Sequence, residues 1–377
     1  MKVILAFDSF KGSLSAEEAV NAAAKGILNA MPDAEIVRLP LADGGEGTTE
    51  ALCRYTNAKW HSCSVHDALM REIVARYAIS QDGTTAIIDM ASAAGLTLIE
   101  ESKRNPMFTT TFGVGEMMLD AISKGCRNIL LGIGGSATND GGIGMLSALG
   151  ARFLDKYGNE LQPIGKNLCE IANIDLKNLI LNSKYKKSEN ISVICDVDNP
   201  LYGQKGAALV YASQKGASAE EISFLDNGLK QLASLCEADP ETPGAGAAGG
   251  LGYGLLLLGA RLRKGVEVIL EASHFDQHLE DADLVITGEG KSDSQTLNGK
   301  LPYGILQRVQ KTNVPVVILA GIVEDKCKLL SAGFLDARSI NPPLNSEQDI
   351  IDAMNPENAS RNLAKASETI LNIYHHA

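Results

Sequence analysis

Residues 128–144, NILLGIGGSATNDGGIG, concentrate groups that could hold an anion. Ile129, Leu130, Leu131 and Ile133 suit a strand buried on both faces, and the glycines that follow let the backbone turn sharply and approach a ligand closely. Gly134, Gly135, Ser136, Ala137 and Thr138 offer backbone N–H groups and hydroxyls to phosphate oxygens, while Asp140 suits a metal ion or a substrate hydroxyl. The competing account is a tight turn that closes a packed strand.

Three other polar loops carry chemistry. In DSFKGS, Asp8 and Lys11 follow the apolar run VILAF, at the end of a strand where open parallel sheets gather ligand groups. In PLADGGEGT, Asp43 and Glu46 flank a glycine pivot before a helix that opens near Thr48. Carboxylates there could accept hydrogen bonds from a polyol, act as a base or hold Mg2+, or merely favour the helix dipole. GEGKSDSQTLNGK brings Glu289 and Asp293, which could share a metal, beside Lys291 and Lys300, which could neutralise phosphate. Its Gly-Lys-Ser is not a Walker loop, because Val285 stands where the required first glycine would be. Asp196 and Asp198 close SVICDVDNP; their alternation points them to opposite faces if the strand persists, so only one would meet a ligand.

These loops need elements to hold them. Val3, Ile4, Leu5 and Phe7 form a short buried strand, and Ser15 with Glu18 starts a helix in capping-box spacing; Ser218 with Glu221 repeats that signal. Apolar runs before Gly288 and Gly321 read as further parallel strands. From Lys59 to Met90 the texture changes to β-rich runs parted by short turns, which predicts antiparallel pairing. GAGAAG at 244–249 matches a dinucleotide fingerprint by letter, but ADPETP precedes it where a strand is required, so a hinge or close helix packing is the better reading.

Length and composition limit the function classes. A chain of 377 residues exceeds one compact core and predicts two α/β domains. With 45% apolar residues, 5% aromatics and 37 glycines it suits a globular enzyme with ligand loops. A net charge of −12 without a Lys/Arg cluster argues against nucleic acid as partner. No apolar run reaches a membrane span, and VILAF is cut off by Asp8, so a first strand rather than a leader is expected and the expected location is cytoplasmic. Seven cysteines without C-x-x-C spacing fit reduced thiols. Neither G-x-S-x-G nor H-E-x-x-H occurs, and what remains is acids, lysines and glycine cradles, the inventory of phosphoryl transfer. A second class stays open: Gly132, Gly134 and Ala137 fit G-x-G-x-x-A, with Asp155 near the acid spacing of an NAD-dependent oxidoreductase acting on a small hydroxy acid. A non-catalytic sugar-acid binding module would not need so many acids beside glycine loops.

FDSFKGSLSAEEA, PLADGGEGT, GIGGSATNDGG, CDVDNPLYG, GAGAAGGLG and ITGEGKSDSQTLNGK, in that order, resemble the bacterial (type-1) glycerate kinase family from the first strand to about Gly321. The resemblance implies ATP-dependent phosphorylation of D-glycerate with Mg2+, giving 2-phosphoglycerate; the residues alone leave 3-phosphoglycerate open. It further implies a Rossmann-like parallel-sheet domain assembled from discontinuous segments, with a second α/β domain of mixed or antiparallel strands inserted. The expected segments are 1–58, 100–147 and 255–377 for the first and 59–99 and 148–254 for the second, with the active-site cleft between them. A homodimer is compatible with that reading. On it, residues 134–139, Asn139 included, surround the ATP phosphates with Lys291, and Glu289, Asp293 or Asp140 meets Mg2+. Asp43 or Asp196 orients or deprotonates the glycerate hydroxyl, Lys11 acts in catalysis by meeting the glycerate carboxylate or the transferred phosphoryl group, and Asp8, Ser9, Lys11, Glu46 and Lys300 bind the substrate. Two departures stand out: Ser213 precedes Gln214 in YASQKGA where the family often has proline, and Lys291 replaces a common arginine, which keeps charge and loses the bidentate fork.

Overall fold

A computed structural model describes residues 1–42, 44, 47–180 and 190–375. The chain divides into two compact units, Met1–Leu52 with Gly265–Ala377, and Cys53–Lys264.

The first unit is built on a five-stranded, all-parallel sheet. Its strands lie in the order Asp336–Ser339, Val316–Ala320, Leu284–Gly288, Lys2–Phe7 and Glu35–Pro40. The three central strands are nearly continuous apolar sequence because both faces are covered. In-register pairing, such as Val3 with Leu284 and Val285 with Val316, aligns their carboxyl ends, so the loops that start at Asp8, Glu289 and Gly321 leave the sheet on one edge. The helix Ala16–Ala30 has the expected cap: Ser15 Oγ accepts from the Glu18 N–H at 3.2 Å, and Glu18 Oε2 accepts from the Ser15 N–H at 2.8 Å.

That helix packs on Pro356–His375 so closely that a Cβ on Gly26 would stand 1.9 Å from the Ala364 carbonyl oxygen. Gly26→Ala is therefore expected to destabilise by about 1–3 kcal/mol, as overpacking does. Helix propensity alone predicts the reverse sign. The urea midpoint decides between them.

The second unit holds a six-stranded mixed sheet in the order Arg261–Arg263, Ile191–Ile194, Asn128–Gly132, Thr85–Asp89, Glu72–Ile79 and Lys59–His66. The last three pair antiparallel, as their texture predicts, and the rest pair parallel. Domain assignment differs from the sequence reading here. Asn128–Gly132 lies between Thr85–Asp89 and Ile191–Ile194, so residues 100–147 sit in the second unit rather than the first, together with 53–58 and 255–264. An apolar run signals burial on two faces, but its sheet is fixed by non-local partners that the run does not name.

The GAGAAG segment forms no dinucleotide turn. Ala248, Gly249 and Gly250 adopt left-handed conformations inside the helical stretch Ala247–Leu257, and a Cβ on Gly249 would lie 1.9 Å from the Thr138 carbonyl oxygen. Close packing against the loop after Asn128–Gly132 is what demands glycine there. Among the described residues no helix is long and apolar enough to cross a membrane.

Candidate active site

In the first unit, the loops at the carboxyl edge of the parallel sheet enclose a cavity of about 350 Å³. Asp8, Lys11, Glu289, Lys291 and Lys300, with the hydroxyl residue Ser9, form its charged side, and Ile340, Leu344, Ile350 and Met354 form an apolar wall. Of the sequence-predicted residues, these six are brought together.

Glu289 anchors the charged side. It is 6% exposed, and its Oε1 accepts from the hydroxyls of Ser292 at 3.0 Å and Thr296 at 2.6 Å, while Oε2 accepts from Lys300 Nζ at 3.2 Å. A carboxylate that far from water is held in place by these donors. Asp8, also buried, accepts from the Ser9 N–H through Oδ1 at 2.6 Å. Lys11 is exposed. Lys291 reaches Glu324 at 3.0 Å and Asp293 at 3.7 Å, and the Glu324 carboxylate holds its ammonium above the usual lysine range. Asp293 is partly committed elsewhere, since its Oδ1 caps the turn Ser294–Asn298 by accepting from the Gln295 N–H at 2.8 Å.

Mg2+ is commonly bound through one or two carboxylates plus phosphate oxygens and water. Asp8 and Glu289 on one cavity wall fit that pattern. Among the described residues no three acidic, His or Cys groups cluster as a metal cage.

In the second unit, the loop after Asn128–Gly132 has an exposed tip and a buried base. Gly134 and Gly135 are exposed, whereas Ser136, Ala137, Thr138, Asn139 and Asp140 are buried. The metal expectation for Asp140 is corrected by its contacts. Its Oδ2 accepts from the Thr111 N–H at 2.7 Å, Thr111 Oγ1 at 2.8 Å and the Gly144 N–H at 3.2 Å, and its Oδ1 accepts from the Gly142 N–H at 3.0 Å. Burial pushes its carboxyl up, and these donors oppose the shift. Asp140 is a bracket that closes the loop.

Lys215, which carries no signal of burial in YASQKGA, is 4% exposed and donates to Ser136 Oγ and the Thr138 carbonyl, each at 2.7 Å. Burial pushes its ammonium down to about 7, against the pull of the Asp140 charge. Asp196 and Asp198 are exposed beyond a strand that ends at Ile194, so the alternation argument does not reach them. Asp43 and Glu46 lie outside the described residues. The oxidoreductase alternative loses its geometry: no helix starts at Gly134, the next one being Ile143–Ala148, and Asp155 closes an exposed turn by accepting from the Tyr157 and Asn159 N–H groups.

The sequence profile of the glycerate kinase family matches residues 3–375. The chain belongs to this family. It is 46% identical over 329 residues to the glycerate kinase of Bacillus subtilis (strain 168), covering 86% of this chain and 85% of that one. Against the glycerate 2-kinase of Escherichia coli (strain K12) the identity is 43%, over 89% of each chain. The crystal structure of a proposed glycerate kinase 2 from Salmonella typhimurium LT2 superposes with a TM-score of 0.85 at 40% identity, covering 100% of this chain and 98% of that one. Membership makes this protein an ATP-dependent kinase, and its mixed α/β architecture is that of the family's solved fold.

Proposed function

We propose that this glycerate kinase family member transfers the γ-phosphoryl group of MgATP to the 2-hydroxyl of D-glycerate, releasing ADP and 2-phospho-D-glycerate. The observation that carries the reading is the gathering of Lys11, Lys291 and Lys300 with Asp8 and Glu289 at one edge of a parallel sheet. Phosphoryl transfer leaves the protein mainly to position the reactants and offset charge on the moving group. The family name, and the 2-kinase name of the Escherichia coli relative, support the acceptor.

Lys11 and Lys300 bind the glycerate carboxylate and the phosphoryl oxygens, and Ser9 contributes a hydroxyl. Asp8 and Glu289 would hold Mg2+, which supplies charge neutralisation between phosphate oxygens. The acceptor proton goes to a carboxylate, for which the sequence offers Asp43 and Asp196. In the second unit, the exposed Gly134–Gly135 backbone and the Ser136 hydroxyl bind an anionic oxygen of one of the two substrates.

The test supplies D-glycerate and MgATP, follows ADP, and adds enolase with or without phosphoglycerate mutase. The expected product is consumed by enolase alone. A product that needs the mutase moves attack to the 3-hydroxyl, and absence of ADP overturns the acceptor.

A further inference from the structure

Lys215 belongs to the turn Ser213–Lys215, far in sequence from the loop it supports. Its ammonium is almost wholly removed from water without a direct carboxylate contact among the described residues. Among the described residues the charge bearing on it is that of Asp140, whose oxygens are already engaged by Thr111, Gly142 and Gly144. Burying an ammonium costs several kcal/mol, and here it is offset by bonds to two neutral oxygens rather than to a carboxylate.

The direction of its hydrogen bonds suggests what lysine supplies. In its protonated form Lys215 only donates, so Ser136 Oγ then accepts from it and the Ser136 hydroxyl proton is left to be given away. Ser136 adjoins the exposed Gly134–Gly135 tip. Three residues beyond Ser136, Asn139 is fully buried, and neither its amide nitrogen nor its amide oxygen has a partner among the described residues. That amide keeps a donor and an acceptor for a polar group that enters the loop.

We propose that Lys215 is a positioning residue for substrate binding: by donating to Ser136 Oγ and the Thr138 carbonyl it makes the Ser136 hydroxyl a fixed donor to an anionic oxygen, either the acceptor's carboxylate or a nucleotide phosphate. The proposal rests on the reading that the Gly134–Ser136 tip binds such an oxygen.

The test is steady-state kinetics of the full chain with each substrate varied, for K215M, S136A, the double variant and G134A, beside thermal melts. K215M is expected to raise the KM of one substrate at least about tenfold, the range set by a lost charge-assisted hydrogen bond, with the other KM within about twofold. A shift in the D-glycerate KM identifies the carboxylate, and one in the MgATP KM identifies a phosphate. S136A should move the same KM, and the double variant should exceed K215M by less than about twofold, because Lys215 acts through Ser136. K215Q, a shorter neutral donor, replaces K215M if the latter does not fold. Equal loss for both substrates, full additivity, or an unmoved KM in the Lys215 variants while S136A shifts it overturns the role of Lys215. Unmoved KM values in both S136A and G134A overturn the tip reading itself; a Cβ at Gly134 meets nothing within 4 Å, so G134A perturbs only the approach to the tip.

Discussion

Glu289→Gln is expected to lower kcat at least about a hundredfold and to raise the Mg2+ concentration that gives half-maximal rate. The argument starts from what the two carboxylate oxygens do. One accepts from Ser292 and Thr296, the other from Lys300. Glutamine keeps the shape but turns one acceptor into a donor. If its nitrogen faces the hydroxyls, they can rotate and accept; if it faces Lys300, two donors meet and the lysine is released. In either orientation the negative charge between Lys300 and the cavity is gone, and with it the donor that suits a metal ion. The melting temperature should change little, since the hydroxyls re-pair. Wild-type kcat with an unchanged Mg2+ requirement would remove Glu289 from the mechanism.

Asp8 and Glu289 were legible in the sequence because each follows a short, continuous apolar run. Such runs become central parallel strands, and the residue after them necessarily sits at the carboxyl edge. The capping boxes at Ser15 and Ser218 were equally legible, being set by local spacing alone. What local spacing cannot supply is the partner across the fold. Asn128–Gly132 was recognisable as a buried strand, yet its neighbours are a strand some forty residues before it and another some sixty after, so the sheet it joins was not. Thr111 occupies the N-cap position of the helix Phe112–Ser123 without a side-chain cap bond, because its hydroxyl donates to Asp140 and accepts from the Met145 N–H. Lys215 shows the same limit more sharply. Lysine is ordinarily exposed, and nothing in YASQKGA signals that a glycine loop will be folded over it.

Asp140→Ala is expected to destabilise the protein by at least about 3 kcal/mol, the largest stability effect foreseen, because four donors lose their acceptor inside a fully buried site. Asp140→Asn should cost less, about 1–3 kcal/mol. Its single oxygen can face the Thr111 N–H, the Thr111 hydroxyl and the Gly144 N–H, and only the Gly142 N–H is then left opposite an amide nitrogen. That ordering separates a bracket from a metal ligand. A ligand would lose Mg2+-dependent activity on becoming asparagine while the fold held, whereas a bracket loses its urea midpoint in proportion to the donors abandoned. Residual Asp140→Asn enzyme should therefore keep a wild-type Mg2+ requirement at temperatures where it remains folded. A shifted Mg2+ requirement with an unmoved midpoint would return Asp140 to the role its place in the sequence first suggested.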